Sequence, residues 1–423
     1  MKLTKAKQAG IPLTAVVLLL LQTTALAAQM NLSLQDSVRL ALQNNPAIKI
    51  AVADQEKSAW GINEAQAGKL PTLSLGSSYN LKQAGSASNG NDLNNSLRLG
   101  WQLYSGGRVE GQIDQAKQNA AIASLGIDKA KAQVKLDAMT AYFTVLQTGN
   151  LVEVNRQTVA NLDEHLNSIQ AKYDAGVVAK ADVLRSEVEL ANARQNLIKA
   201  ENNYDLAKNS LLNTMMLDAS ADLALTETLQ YAPYEKTLDD CLVLAEKNRP
   251  DFAQADATVT MAATGIDLAK SGRLPSVSLS ASNGWSEGVL PASDNWSVGV
   301  SASWNLFDAG VTGAKVKQAD TSLTKAQEQA RQTKTGGLLE VRQNYLSMAE
   351  AQKRLDTNAV AVSKAEEDLY IAKEKYNAGV GTNLDVIDAQ LALTQAKTNR
   401  IQSLYDYNVS MAKLNKAIGV KAE

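Results

Sequence analysis

The stretch Tyr173-Asp174-Ala175-Gly176-Val177-Val178-Ala179-Lys180-Ala181-Asp182-Val183-Leu184 decides the fold, because it returns 203 residues later. The second copy is Tyr376-Asn377-Ala378-Gly379-Val380-Gly381-Thr382-Asn383-Leu384-Asp385-Val386-Ile387. Both lie between long Ala-rich segments of helical period. The glycine falls where a helix ends on a left-handed residue, a conformation without a Cβ penalty for Gly. Helices restart near Lys180 and Thr382. Each copy therefore reads as the tip of a long helical hairpin.

Outward from the tips the match continues. Leu34 to Pro46 corresponds to Leu238 to Pro250, and Ala67-Gly68-Lys69-Leu70-Pro71 to Ser271-Gly272-Arg273-Leu274-Pro275, both at an offset of 204. Trp101-Gln102-Leu103-Tyr104 corresponds to Trp304-Asn305-Leu306-Phe307 at 203. Self-similarity of this kind predicts one unit written twice: residues 28–217 and 237–423, joined by a bridge over 218–236. Each unit opens with a short amphipathic helix that stops before a proline. A second helix starts at that proline, Pro46 or Pro250.

Past Pro71 and Pro275 the apolar period changes from 3.6 to 2. Leu73, Leu75, Tyr79 and Leu81, then Leu97, Leu99, Trp101 and Leu103, alternate with Ser, Gly, Asn, Arg98, Gln102 and Tyr104. Val298, Val300, Ala302, Trp304 and Leu306 do the same in the second unit. This pattern predicts β-hairpins at about 71–105 and 275–307, with polar loops from Lys82 to Asn95 and from Ser286 to Asn295. Strands of about ten residues with an apolar face and terminal aromatics fit a transmembrane strand. Trp101, Tyr104, Trp285, Trp296, Trp304 and Phe307 are the candidate interface aromatics. The competing reading is an ordinary sheet packed against helices on one face.

The long helical hairpins span 108–215 and 310–418. Ile113, Ala120, Ile127, Val134 and Ala141 repeat every seven residues, with Ala116, Ala123 and Ala130 three positions on. The returning helix repeats Val183, Leu190, Leu197, Tyr204 and Leu211. Strict sevens predict coiled-coil packing. The segment 108–173 would be about 100 Å long, nearly the sum of the returning helix and the helix from Pro46 to Gly68. Two shorter helices can therefore stack beside one long one, with the short elements as a belt at the junction. Gly126, Gly149, Gly336 and Gly337 are expected to mark local bends.

The N-terminus carries Lys2, Lys5 and Lys7, an apolar run from Ala15 to Leu21, and Ala25-Leu26-Ala27. That order predicts a signal peptide over 1–27, cleaved after Ala27 or Ala28. Its removal takes three lysines and no acid, moving the formal net charge from −2 to −5. A mildly acidic chain does not point to nucleic acid. No cysteine follows the cleavage site to accept a lipid, and the single Cys241 has no partner for an intramolecular disulfide. With one histidine, His165, one cysteine and no phosphate loop or nucleophile elbow, nothing points to an enzyme, a metal or a cofactor. His165 is read as a helix-surface residue.

Four strands cannot close a barrel, eight close one filled by side chains, and twelve leave a channel. Lipid tolerates no open sheet edge, so a membrane reading requires an oligomer and a pore favours a trimer. On its duplicated unit, its Leu-Pro strand entries and its Tyr-x-x-Gly-x-x-x-x-x-Asp-Val tips, the chain resembles the TolC family of outer-membrane efflux and secretion channels. The resemblance runs from Leu32 to about Gly419. It implies an α+β membrane channel, a homotrimer with a twelve-stranded transmembrane β-barrel in outer-membrane lipid, four strands per protomer, and an α-helical barrel through the periplasm. It also implies a periplasmic adaptor and an inner-membrane efflux pump or ABC transporter as partners. Tyr376, Asp385 and Asp388, with Asp182 on the neighbouring tip, match the family's gate and acidic rings. Gly381 stands where the family has its latch Arg, and Lys180 is a candidate cation from the other tip. Ala175, Gly176, Val177, Ala378, Gly379 and Val380 match the adaptor-docking tips. Rings of carboxylates favour cations, and mutual repulsion is expected to raise some of their pKa values. Asp385 also sits at the third position of a capping box begun by Thr382. The alternative to a duct is an exported coiled-coil spacer or adhesin without a pore.

Overall fold

Two helices of 67 residues, α3 (Arg108–Asp174) and α7 (Val311–Asn377), each about 100 Å long, run from the sheet to the hairpin tips. The computed structural model describes residues 30–82, 90–219, 221, 223–288 and 294–421. The expected signal peptide and the middles of the two expected polar loops lie outside the described residues. Before α3 come β1 (Met30–Leu32), α1 (Leu34–Asn44), α2 (Pro46–Ala67), β2 (Thr72–Lys82) and β3 (Gly90–Tyr104). After it come α4 (Lys180–Thr214), β4 (Leu223–Leu225), α5 (Leu238–Asn248), α6 (Pro250–Lys270), β5 (Ser276–Gly288) and β6 (Asp294–Ser303). The chain ends with α7 and α8 (Asn383–Ala417).

No proline interrupts α3 or α7, and both begin after a left-handed glycine, Gly107 (φ 84°) and Gly310 (φ 87°). Side chains from the strand ends cap them. Val109 N donates to Ser105 Oγ (3.1 Å), and Thr312 N donates to Asp308 Oδ2 (2.7 Å). Towards the tips, the helices form a single row in the order α4, α3, α8, α7; towards the sheet, the row is α2, α3, α6, α7. The shorter helices thus stack end to end beside the long ones. In each row the outer helices have no neighbour on one side among the described residues. There α4 exposes Leu184, Val188, Ile198 and Leu206, α7 exposes Leu346 and Val360, and α2 exposes Ile50 and Trp60.

A belt forms where α2 gives way to α4. Tyr142, Phe143 and Val145 of α3 pack there with Val38, Ala41, Leu211, Leu212 and Met215. The two-stranded parallel pair β1–β4, the second strand inside the 218–236 bridge, closes the belt. The corner before Pro46 is fastened by Asn44 and Asn45, whose amides donate to the carbonyls of Met215 and Thr214 (both 3.3 Å). At the corner before Pro250 the same task falls to Arg249. Its guanidinium donates to Ala417 O (2.9 Å) and pairs with Asp251 (2.7 Å) and Glu340 (2.8 Å). A nearly buried cation needs such partners, since an unpaired one would be strongly destabilising.

Four antiparallel strands make the second layer, in the order β2-β3-β5-β6. Their register assembles continuous rows of one character. Leu73, Leu99, Ala281 and Val298 stand in line on one face; Ser74, Arg98, Ser282 and Ser297 stand in line on the other. Among the described residues no helix packs across either face, so the reading of a sheet packed on helices fails. Trp101 and Trp304 lie at the helical end, where their indole N–H groups donate to Lys69 O (2.8 Å) and Arg273 O (3.0 Å). Both acceptors immediately precede a Leu-Pro strand entry, so each tryptophan pins the helix-to-strand corner. Phe307 and Tyr104 are exposed at the same end, whereas Trp285 and Trp296 lie towards the far end. Eight residues separate Trp296 from Trp304, about 26 Å along a strand.

Three expectations change here. The strands run further into the polar stretches: β3 already starts at Gly90 and β5 continues to Gly288, because ladder hydrogen bonds need only backbone. The last strand ends at Ser303, short of 307. A register shift between Gln102 and Tyr104 puts Tyr104 opposite Val277, on the apolar face instead of the polar one.

The glycine pair in α7 divides by function. A Cβ on Gly337 would collide with the ring of Phe252 in α6, whereas one on Gly336 would meet nothing within 4 Å. Gly337 is therefore a seat for the Phe252 ring. Gly337→Ala should lose about 1–3 kcal/mol by overpacking, and Gly336→Ala should gain up to about 1 kcal/mol in an exposed helix interior. Denaturant unfolding of the two variants side by side checks the contrast.

Candidate functional site at the hairpin tips

Both tips close as their glycines require. Gly176 (φ 75°) and Gly379 (φ 76°) are left-handed, and the next residues turn back onto the helix. Val177 N donates to Lys172 O (2.9 Å) and Val380 N to Lys375 O (3.0 Å). This places Ala175, Gly176 and Val177, and Ala378, Gly379 and Val380, at two exposed turns. The valines are 72% and 78% exposed. Backbone turn chemistry needs the glycine and leaves the apolar side chain beside it unexplained.

Behind the turns the two hairpins are sewn together. Ile169, Val183, Leu369, Val386 and Leu393 form the apolar part of the seam. Its polar part centres on His165, which is 7% exposed, so the surface assignment made from sequence is corrected. His165 Nε2 lies 2.9 Å from Asn383 Oδ1, and the ring meets Tyr376 edge-on at 5.2 Å. Ser186 Oγ donates to the same Asn383 oxygen (3.3 Å), and Asn383 Nδ2 donates to Asp182 O (3.1 Å). One asparagine at the start of α8 thus ties α3, α4 and α8. His165 falls five heptads beyond Ala130 on the small-residue row of α3. Extending that row through Thr158, His165 and Lys172 is the signal that would have found the seam.

Tyr376 is buried. Lys172, not Lys180, supplies its cation: Nζ sits 3.9 Å from the ring centroid and donates to Tyr376 O (3.1 Å). Lys180 lies over Tyr173 of its own tip instead (5.2 Å). Burial, and secondarily the charge of Asp182, push the Tyr376 phenol pKa up. Its hydroxyl has no hydrogen-bond partner among the described residues, so the tyrosine is held here through its ring and carbonyl.

Asp385 and Asp388 are exposed on one stripe of α8 while Val386, Ile387, Ala389 and Gln390 are buried. Asp385 completes the capping box: its Oδ2 accepts from Thr382 N (2.8 Å) and Thr382 Oγ1 (2.7 Å). The Thr382 hydroxyl, more than any other neighbour, holds this carboxyl below its ordinary pKa. Asp388 has no capping role. Asp182, half-buried, faces the seam mainly through its carbonyl. Among the described residues no helix is long and apolar enough to cross a membrane, and no group of His, Cys, Asp and Glu is arranged to hold a metal ion.

Burial lowers the His165 pKa, and the nearby cations Lys373 and Lys172 add to the effect while the Asn383 hydrogen bond opposes it. A base with a depressed folded-state pKa contributes stability above its unfolded pKa, near 6.5, and loses it as pH falls through the folded value. The protection factors of tip amides, referenced to intrinsic exchange at each pH, should therefore fall on acidification below about 6.5. His165→Gln, which keeps an amide on Asn383, should flatten that dependence.

The comparisons with known proteins agree with this architecture. The family model described as outer membrane efflux protein matches residues 37–215 and 241–420. The chain is 24% identical over 402 residues to the outer membrane protein TolC of Escherichia coli (strain K12), covering 90% of this chain and 80% of that protein. It is 25% identical over 432 residues to the alkaline protease secretion protein AprF of Pseudomonas aeruginosa, covering 96% and 87%. Among solved structures it superposes on the Campylobacter jejuni CmeC outer membrane channel with a TM-score of 0.80 at 19% identity, covering 91% and 85%. It also superposes on VceC from Vibrio cholerae with a TM-score of 0.79 at 19% identity, covering 92% and 97%. With two matched segments that fill most of its length, the chain belongs to the outer membrane efflux protein family.

Proposed function

We propose that this chain is the protomer of a trimeric exit duct that carries substrates from an inner-membrane transporter, through the periplasm and across the outer membrane. One observation carries the reading: both layers are open rows with two free edges. The sheet ends in β2 and β6, and the helical row ends in α4 and α7. Lipid cannot satisfy a free strand edge, so the sheet must be closed by other copies. Three copies supply twelve strands, enough to leave a channel.

In this reading the chain is one unit written twice, 28–217 and 237–423 about a belt-forming bridge at 218–236, after loss of residues 1–27. The apolar rows of the sheet face lipid and the serine-rich rows face the lumen. Trp101, Tyr104, Trp304 and Phe307 mark one membrane interface, and Trp285 and Trp296 the other. The helical row closes into the periplasmic barrel. Its tips, with Val177 and Val380 bared, receive a periplasmic adaptor that joins the duct to an efflux pump or ABC transporter. Relatives named for protease secretion and for solvent efflux both occur, so the substrate is set by the transporter.

The gate lies at the tips. Asp385 and Asp388, three residues apart on α8, give two stacked rings of three carboxylates in a trimer. Tyr376 and Asp182 belong to the closed state, with Lys172 taking the place of the missing latch Arg at Gly381. The test is single-channel recording of the detergent-purified mature protein in a planar bilayer. A low, cation-selective conductance is expected. Asp388→Ala should weaken block by divalent cations, whereas unchanged block would remove Asp388 from the gate. A protein without conductance that dissolves in plain buffer would leave a spacer instead of a duct.

A further inference from the structure

We propose that neighbouring copies meet along α7 and α4 through residue pairs that the α3–α8 contact inside each copy already specifies. The inference rests on the ring reading above. The helical row α4, α3, α8, α7 continues in a ring with the partner's α4. Helix α7 repeats α3 in length and α8 repeats α4, each displaced by 203 residues without a gap: 108–174 against 311–377, and 180–214 against 383–417. The junction from α7 to the partner's α4 is therefore the counterpart of the junction from α3 to α8. Each observed pair transposes by adding 203 to its α3 member and subtracting 203 from its α8 member.

Among the described residues, five neutral side-chain pairs cross the observed junction, two of them hydroxyl pairs, Thr144–Tyr405 (3.2 Å) and Thr158–Thr394. The first transposes to the uncharged Ser347 and the partner subunit's Asn202. The remaining three are Gln147–Gln402 (2.7 Å), Asn161–Gln390 (2.9 Å) and His165–Asn383 (2.9 Å). Transposed, these three become Glu350 with the partner subunit's Lys199, Lys364 with the partner subunit's Glu187, and Asp368 with the partner subunit's Lys180. All three are opposite charges. Their polarity alternates along the helix, acid then base then acid on α7, so no general attraction between an acidic and a basic helix accounts for them. Such alternation fixes both register and partner.

The apolar and close contacts transpose as well. Thr158 and Thr394, 2.8 Å apart, become two alanines, Ala361 and the partner subunit's Ala191. Phe143 and Val409, buried in one cluster, become Leu346 and the partner subunit's Leu206, which are 62% and 60% exposed in the single chain. Buried Ile387 corresponds to exposed Leu184. Two of the charges concerned, Lys364 and Glu350, now make exposed local pairs, with Glu367 (2.9 Å) and Arg354 (2.5 Å). Pairs of that kind are worth little and are free to exchange.

The test is disulfide trapping in native membranes with the full-length protein carrying Cys241→Ser. Ala191→Cys with Ala361→Cys should run as covalent oligomers up to the trimer on a non-reducing gel. Gln195→Cys with Ala361→Cys, four residues or about 6 Å further along α4, should not. Independently, Glu187→Lys and Lys364→Glu should each lower the temperature at which the trimer dissociates, and the double reversal should restore most of the loss. A wild-type trimer by mass that neither cross-links at 191/361 nor shows this rescue overturns the pairing and leaves the ring standing. A wild-type protein that is monomeric by mass overturns the ring, and the pairing with it.

Discussion

Backbone hydrogen bonds that a single chain leaves unmade govern the rest of this structure. Among the described residues, strands β2 and β6 each pair on one side only, in a sheet that no helix covers. In water such edges invite aggregation, and in lipid each unpaired group is strongly unfavourable. The helical row repeats the problem with apolar side chains, at α4 and α7. A chain built this way makes sense as a sector of a closed wall. Its packed contacts lie in the belt and the hairpin seams, and in the proposed reading its edges are closed by copies of itself.

The belt makes the two layers compatible. One long helix has to serve as wall over its whole length, while the sheet end and the tip end need different neighbours. Stacking α2 on α4, and α6 on α8, solves this only if the corners are held. The first corner uses two asparagine amides and the second one arginine, at positions that correspond in sequence. Different chemistry meets the same demand, the satisfaction of helix C-terminal carbonyls at a proline-restarted corner. Towards the tips the packing narrows to an apolar seam with buried polar groups, among them the cluster around His165 and Asn383. A buried neutral histidine fixes which faces of the hairpins meet, and it also leaves that end responsive to acid.

Much of this was legible from residue type alone. The left-handed glycines ended α3 and α7 where the repeat placed them, and the prolines set both belt corners. The heptads named Val183, Leu190 and Leu211 as buried, and the period of two located all four strands. What escaped was decided by packing between distant segments. His165 looked like a surface residue because a lone polar side chain in a helix usually is, although the heptad row passed through it. Lys172 was overlooked in favour of Lys180, which is nearer the turn but points at its own tyrosine. Gly337 looked like a weak point in a helix until the ring of Phe252 accounted for it. The bulge that moves Tyr104 across the sheet left no mark in the alternation.

The central claim is that open edges in both layers are closed by identical copies. Native mass spectrometry of the mature protein, extracted from membranes in mild detergent, tests it most directly. The account predicts a particle of three chains that needs detergent to stay in solution. A single chain at that step, stable and monodisperse in aqueous buffer, would contradict it.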